Sequence, residues 1–379
     1  MKITAIRATP LTATWEAIFG PNVPRALRHP AAHFQSFARR GQYATIVEIE
    51  VEDGLTGRGE AWGLPVPQMS AALINDYFAP ALMGRDALDS EAIWHDVHKM
   101  GASLGYAGGV WMEALSGLDM ALWDWRGQRE NYSVSELLGR RRHRVEIYAS
   151  PVPFCDTPQQ AADKAREFAS QGFKALKVKA GRTVSTDVAH LRAIRAAIGS
   201  DVKLLVDFNC AYDAAQTVAF AREASDLDLY WLEEPLPPHE LEELSRVRRQ
   251  MGIPIAAGEN AFSPFDFSQL ITRGQVDVLT PNVTRAGGIT GVLKIAAVAE
   301  KYGVRLALHG VGGALMLHAS LHLMGALPQV DLFECNRLPN PLRDELAPLP
   351  ALENGALLVP QGAGLGCALD PEIVRRFSP

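Results

Sequence analysis

"VKLLVDFN", residues 202–209, is an aliphatic, β-branched run too short for a helix, and its last residues are polar: Asp207 and Asn209. The same form recurs on both sides. Upstream lie "VEIYAS" (145–150) and "KALKVKA" (174–180). Downstream lie "LYWLEE" (229–234), "IPIAAGE" (253–259), "VDVLTPN" (276–282), "VRLALHG" (304–310) and "DLFECN" (331–336). Segments of helical period separate them, such as "TPQQAADKAREFASQG" and "TGVLKIAAVAEKYG", the latter stopping at a C′ glycine, Gly303. Strands that alternate with helices run parallel, and eight such units predict a closed (β/α)8 TIM barrel. The Gly-rich turn of a nucleotide-binding open sheet is missing after "VEIYAS".

In a barrel of this kind the chemistry sits at the C-terminal ends of the strands. Strands three, four and five are expected to end in Asp207, Glu233 and Glu259, which are 26 residues apart in each step. Three carboxylates in equal register at one mouth repel unless a cation joins them, and oxygen-only ligands favour a hard ion such as Mg²⁺. The preceding strand carries Lys177 and Lys179 at i and i+2, on one face. Two ammonium groups side by side are stabilised next to a carboxylate cluster, and a neighbouring cation is expected to lower a lysine's pKa toward that of a useful base. His309 ends strand seven, across the barrel, as a second acid or base, and Glu334 ends strand eight, within reach of a substrate oxygen.

These strand ends together are similar to a known set. "LKVKAG", "LLVDFN", "WLEEP", "AAGEN", "RAGGITG", "LALHG" and "LFECN" resemble the motifs of the enolase superfamily, mandelate racemase subgroup. "GLTGRGEAWG" and "EALSGLDMALWDWRGQ" resemble its capping domain. The resemblance implies a modified, enolase-like (β/α)8 barrel with an N-terminal α+β capping domain completed by the C-terminal segment. It implies Mg²⁺ held by Asp207, Glu233 and Glu259, with Glu234 pointing away by strand alternation. It implies that Lys179 takes a proton α to a substrate carboxylate, that Lys177 supports that carboxylate's charge, and that an enolate forms. His309 is then the opposite-face base or the acid for a departing group, Glu334 a hydrogen-bond partner of the enolate oxygen, and Asn209 a contact to substrate or to a ligand. In one place the sequence departs from the pattern: the subgroup's histidine pairs with an aspartate, and here "TPNVTRAGG" offers Asn282. Asp277 lies at the strand's other end and is no substitute.

The activity expected is dehydration of an aldonic or aldaric acid to a 2-keto-3-deoxy acid. Racemisation or epimerisation of a 2-hydroxy acid, cycloisomerisation of a sugar-acid lactone, and a non-catalytic binding barrel are the alternatives.

The first 125 residues read as an α+β unit with a hairpin turning near Asp53-Gly54, residues 126–340 as the barrel, and 341–379 as a segment returning to the cap, including the short strand of "GALLVP". Residues 15–43 form a cationic loop expected to close over the mouth. Its Arg25, Arg28, His29, His33, Arg39 and Arg40 hint at a second anionic group on the substrate. Trp62 and Leu64 are expected to add apolar contacts. A net charge of −6, and no basic run longer than "GRRRHR" (139–144), argue against nucleic acid as partner. No apolar run reaches the length of a membrane span, and the four cysteines form no CxxC pair, so a reducing cytoplasm is the expected compartment. The partner expected is a small-molecule carboxylate substrate. The family resemblance adds a homo-oligomer, up to an octamer.

Overall fold

The structure, a computed structural model, describes residues 1–24, 27 and 39–379. The chain begins with an antiparallel sheet, β1 (Ile3–Thr14), β2 (Gly41–Val51) and β3 (Thr56–Trp62) in that order. The β2–β3 hairpin turns at Asp53-Gly54, where Gly54 takes φ +82°, as the sequence predicts. A long helix, Val110–Glu130, lies across the sheet. It comes so close that a Cβ on Gly59 would sit 2.1 Å from the Gly117 carbonyl oxygen, which explains the two glycines of "GRG" in β3. The boundary expected at residue 125 falls inside this helix.

Eight strands follow: β4 (Arg144–Val152), β5 (Ala175–Lys179), β6 (Lys203–Asp207), β7 (Leu229–Glu233), β8 (Ile255–Ala257), β9 (Val278–Leu279), β10 (Arg305–Leu308) and β11 (Val330–Asn336). Each pairs in parallel with the next, and β11 pairs with β4, so the barrel closes. All eight runs read from the sequence are strands. Capping boxes start three of the intervening helices, at Thr157/Gln160, Asp213/Gln216 and Ser263/Asp266. Gly303 ends its helix in the left-handed region, φ +65°.

Seven helices of eight residues or more separate the strands, and the eighth unit is modified: directly after β11 only the single turn Pro341–Asp344 forms. One expectation needs correction. The strand of "GALLVP" does not join the cap. With β12 (Leu352–Glu353) it forms a hairpin whose second strand, β13 (Ala356–Leu358), pairs antiparallel with the start of β4. Other parts of the C-terminal segment do reach the cap: Leu365 N–H donates to Asp124 at 2.7 Å, and helix Pro371–Phe377 packs on β1.

The cap is clamped to the barrel through helix ends. The barrel helices Gly288–Tyr302 and Ala314–Ala326 begin after glycines and have no side-chain cap of their own. Their orphan N–H groups are satisfied from the other domain: Asp119 accepts from Thr290 N at 2.9 Å, and Glu60 accepts from Gly313 N at 2.6 Å and Met316 N at 3.0 Å. Burial pushes the Glu60 carboxyl up to about 7, against these donors, which pull it down. Replacing Glu60 with alanine is expected to leave both N–H groups unpaired and to cost about 1–3 kcal/mol in a denaturant titration. An unchanged midpoint would show that the clamp contributes nothing.

Candidate active site

Period-two alternation builds the mouth of the barrel. Tyr148, Ala175, Leu205, Trp231, Ala256, Val278, Ala307 and Leu332, one from each strand, pack together as a floor inside the barrel. Two residues further along each chain come Ser150, Lys177, Asp207, Glu233, Gly258, Thr280, His309 and Glu334. An apolar layer is thus followed by a polar one, and seven of its eight positions carry a hydrogen-bonding side chain.

Glu259 does not belong to this register. Asp207 and Glu233 are paired neighbours, but the partner of Glu233 on β8 is Ala256, and β8 ends at Ala257. The equal sequence spacing therefore does not mean equal register. Glu259 is swung in from the following loop by Gly258, whose φ of +143° favours glycine and whose Cβ would lie 2.7 Å from Phe267. One oxygen each from Asp207, Glu233 and Glu259 then lie within 4.8 Å of one another. Glu234 leaves its strand in the left-handed region, φ +39°, and its carboxylate accepts from Asn260 at 2.7 Å instead of joining the three.

The two lysines differ sharply. Lys177 is fully buried, with Nζ 2.9 Å from Glu334, 3.1 Å from Glu233 and 3.3 Å from Asp207. Desolvation opposes its charge, but the surrounding carboxylates prevail and hold its pKa well above the usual lysine value. Lys179 is 16% exposed, lines the cavity at the mouth, and bonds Asp207 at 2.7 Å and Asn209 Oδ1 at 2.6 Å. Its pKa is raised, not lowered as the sequence suggested: desolvation is the largest influence and lowers it, as does Lys177, but Asp207, Glu259 and Glu334 together prevail. Asn209, at φ +43°, reaches on to Glu259 Oε1 at 3.3 Å, so it joins the base candidate to the carboxylates.

The donor set fits a divalent cation. Four carboxylates (Asp207, Glu233, Glu259, Glu334) face two ammonium groups, which leaves two negative charges. The excess shows in Glu233, which burial and its acidic neighbours push up to about 8 despite Lys177. Glu259 Oε2 is buried and accepts no hydrogen bond. All the free donor atoms are oxygens, which suits Mg²⁺.

His309 is buried across the mouth. Its Nε2 lies 3.2 Å from Glu259 Oε2 and 3.5 Å from Glu334 Oε2. Asn282 decides its tautomer. Asn282 Oδ1 accepts from the Thr284 backbone N–H at 2.9 Å, and its Nδ2 donates to the Val311 carbonyl at 2.8 Å, so the amide orientation is unambiguous. The same Nδ2 faces His309 Nδ1 at 2.9 Å. Nδ1 must accept, and the proton of the neutral ring sits on Nε2. Burial lowers the His309 pKa as well. Asp277 is bound by Arg248 at the far end of β9, as expected.

Burial alone would raise the pKa of Glu334, but Lys177, His309 and Lys179 hold it well below the usual carboxylate range, so it accepts and does not donate. Ser150 Oγ bonds it at 2.5 Å, a partner missed in the sequence reading although it lies two residues beyond the floor residue Tyr148. Trp62 lies at the rim, its ring 6.2 Å from that of His309 and 4.7 Å from the Arg285 guanidinium. Arg285 also bonds Glu113 and the Glu259 carbonyl, so it couples the cap to the carboxylate loop. Of the loop cations, Arg25, Arg28, His29 and His33 lie outside the described residues, while Arg39 lines the cavity beside Lys179. The four cysteines are unpaired, and among the described residues no helix is long and apolar enough to cross a membrane.

Sequence comparison agrees with this architecture. Residues 160–373 match the enolase C-terminal domain-like family, and residues 20–139 match the mandelate racemase / muconate lactonizing enzyme N-terminal domain. The chain belongs to the mandelate racemase group of the enolase superfamily. Within that group it is 33% identical, over 100% of its own length and 99% of the relative's, to D-galactarolactone cycloisomerase of Agrobacterium fabrum. It is 30% identical, over 88% of its length and 82% of the relative's, to L-talarate/galactarate dehydratase of Salmonella typhimurium. A racemase from Streptomyces coelicolor with bound magnesium superposes with a TM-score of 0.88 at 27% identity, covering all of both chains.

Proposed function

We propose that this enolase-superfamily chain is a Mg²⁺-dependent lyase of sugar acids. Lys179 removes the proton α to the substrate carboxylate, the β-hydroxyl takes up a proton returned by the charged Lys179 and leaves as water, and the enol that remains picks up a solvent proton at C3 to give a 2-keto-3-deoxy acid. The observation that carries the reading is the contrast between the two lysines. Lys177 is enclosed by carboxylates and stays charged; Lys179 alone reaches the cavity, next to a cluster that lacks two positive charges.

Asp207, Glu233 and Glu259 would hold a divalent ion, which would supply fixed positive charge beside the reacting carboxylate and offset the hold of Asp207 on the Lys179 proton. The chain's own residues do the rest. Asn209 keeps Lys179 Nζ in place. Lys177 balances Glu233 and Glu334 beneath the reacting carboxylate. Glu334 anchors Lys177 and Ser150, and His309 offers its Nε2–H as a hydrogen-bond donor from the opposite face. That arrangement suits elimination and not racemisation, because a racemase needs a base on that face and Nε2 already carries its proton.

The same neutral His309 supports a second reading, ring-opening cycloisomerisation of a sugar-acid lactone. A departing hydroxide needs an acid, whereas a lactone ring oxygen that leaves as a carboxylate needs none. The full-length relative named for galactarolactone points the same way.

Thermal unfolding with and without Mg²⁺ tests the metal site apart from activity. Wild-type protein is expected to gain about 2.7 kcal/mol at 100 times the dissociation constant, and Glu233→Gln to lose most of that gain. A melting temperature indifferent to Mg²⁺ would rule out the metal site.

A further inference from the structure

We infer that Arg39 holds a second carboxylate of the substrate, so that the substrate is a sugar diacid, or a lactone of one, and not a monoacid. The assignment rests on the lyase reading, which places the reacting carboxylate at Lys179.

Arg39 and Lys179 line one cavity, together with Ser150, Asn336 and Glu334. The guanidinium is positioned by the fold. Its Nε donates to the Gly41 carbonyl at 3.0 Å, one Nη2 hydrogen goes to Gln42 Oε1, and the group lies over the Trp15 ring at 5.6 Å from the centroid. Trp15 Nε1 donates back to the Arg39 carbonyl at 2.9 Å. Gln42 is 4% exposed and donates to the Pro339 carbonyl at 3.1 Å, which ties this corner to the loop after β11. Among the described residues two of the five N–H donors are used and three remain.

No carboxylate among the described residues answers this cation. Arg182, Arg248, Arg285 and Arg343 each pair with a carboxylate; Arg39 pairs with none among the described residues. The neighbouring stretch 25–38 contains no Asp or Glu at all. Glu334 shares the cavity, but its oxygens are taken by Lys177, Ser150 and the Gly310 N–H. Burial without a counter-charge lowers the Arg39 pKa to about 10. A fixed, unpaired, partly desolvated guanidinium with a free edge is a receptor for a planar anion, and a carboxylate matches its fork.

The test compares wild type, Arg39→Gln and Arg39→Lys, all with Mg²⁺, on pairs of six-carbon acids that differ at the far end: galactarate against galactonate, and glucarate against gluconate, with their lactones and 6-phosphogluconate as a further arm. Wild type is expected to prefer diacids. In Arg39→Gln the diacid-to-monoacid ratio of kcat/KM should fall on the order of 10²-fold, with partial recovery in Arg39→Lys. A wild-type preference for monoacids or for the phosphate, or an equal loss on both series, would overturn the assignment. Binding of unreactive diacids separates this from failure of the lyase reading. Glutarate, and not butyrate, should raise the melting temperature of wild type but not of Arg39→Gln, whatever the reaction proves to be. Equal stabilisation of both proteins by glutarate would overturn it as well.

Discussion

Changing Lys179 to alanine is expected to slow exchange of the substrate α proton with solvent by about 10²–10⁴-fold, the usual worth of a positioned general base. Lys179→Arg should lose nearly as much, because a guanidinium keeps the charge but does not release a proton at working pH. Both variants should still bind substrate. Lys177 is predicted to behave differently. Its ammonium has no exposure and counters three carboxylates at 2.9 to 3.3 Å. Lys177→Met would leave those charges buried without a partner, so the loss should appear first as stability, about 3–5 kcal/mol. Undiminished exchange in Lys179→Ala would transfer the base role to another residue and remove the main support for the proposed mechanism.

Asn282→Asp is the second large effect expected. In the native chain the amide donates to His309 Nδ1 and so confines the neutral ring's proton to Nε2. A carboxylate there would accept from Nδ1–H instead, leaving Nε2 free to take a proton and stabilising the imidazolium that results. The Thr284 N–H and hydroxyl still have an oxygen to donate to, but the Val311 carbonyl loses its donor. The native protein should therefore exchange α protons from the Lys179 face far faster than from the His309 face, and Asn282→Asp should narrow that gap by at least tenfold. Deuterium incorporation into both epimers of one acid sugar reads the ratio. Equal native rates from the two faces would contradict the tautomer assignment and restore racemisation as a reading.

Much of this site was legible in the sequence because strand periodicity is rigid. Once β5, β6 and β7 were placed, the positions of Lys177, Lys179, Asp207 and Glu233 followed from a period of two and a parallel register. What could not be read was whatever depends on backbone exceptions. Glu259 enters from a loop through a positive-φ glycine, whereas Glu234 turns away from the three carboxylates as alternation predicts. The glycine's role is not visible in spacing, which made three carboxylates look equivalent when only two are. The Lys179 pKa was misjudged because its direction depends on how closely Asp207, at 2.7 Å, and the carboxylates of Glu259 and Glu334 surround the ammonium, which a sequence does not reveal. The clamp of Glu60 and Asp119 was hidden for another reason. The two barrel helices lack caps of their own, and the missing caps are supplied from residues some 170 to 250 positions away. The place of Arg39 likewise comes from long-range contacts to Trp15 and, through Gln42, Pro339.

The central claim is that Lys179 starts an elimination from a sugar acid. The most direct measurement is proton NMR of aldonic acids, aldaric acids and their lactones, incubated in D₂O with the Mg²⁺-loaded protein. The proposal predicts that at least one of them becomes a 2-keto-3-deoxy acid with solvent deuterium at C3, and that Lys179→Ala produces none. Silence across the whole series, or the same product from Lys179→Ala, would contradict it.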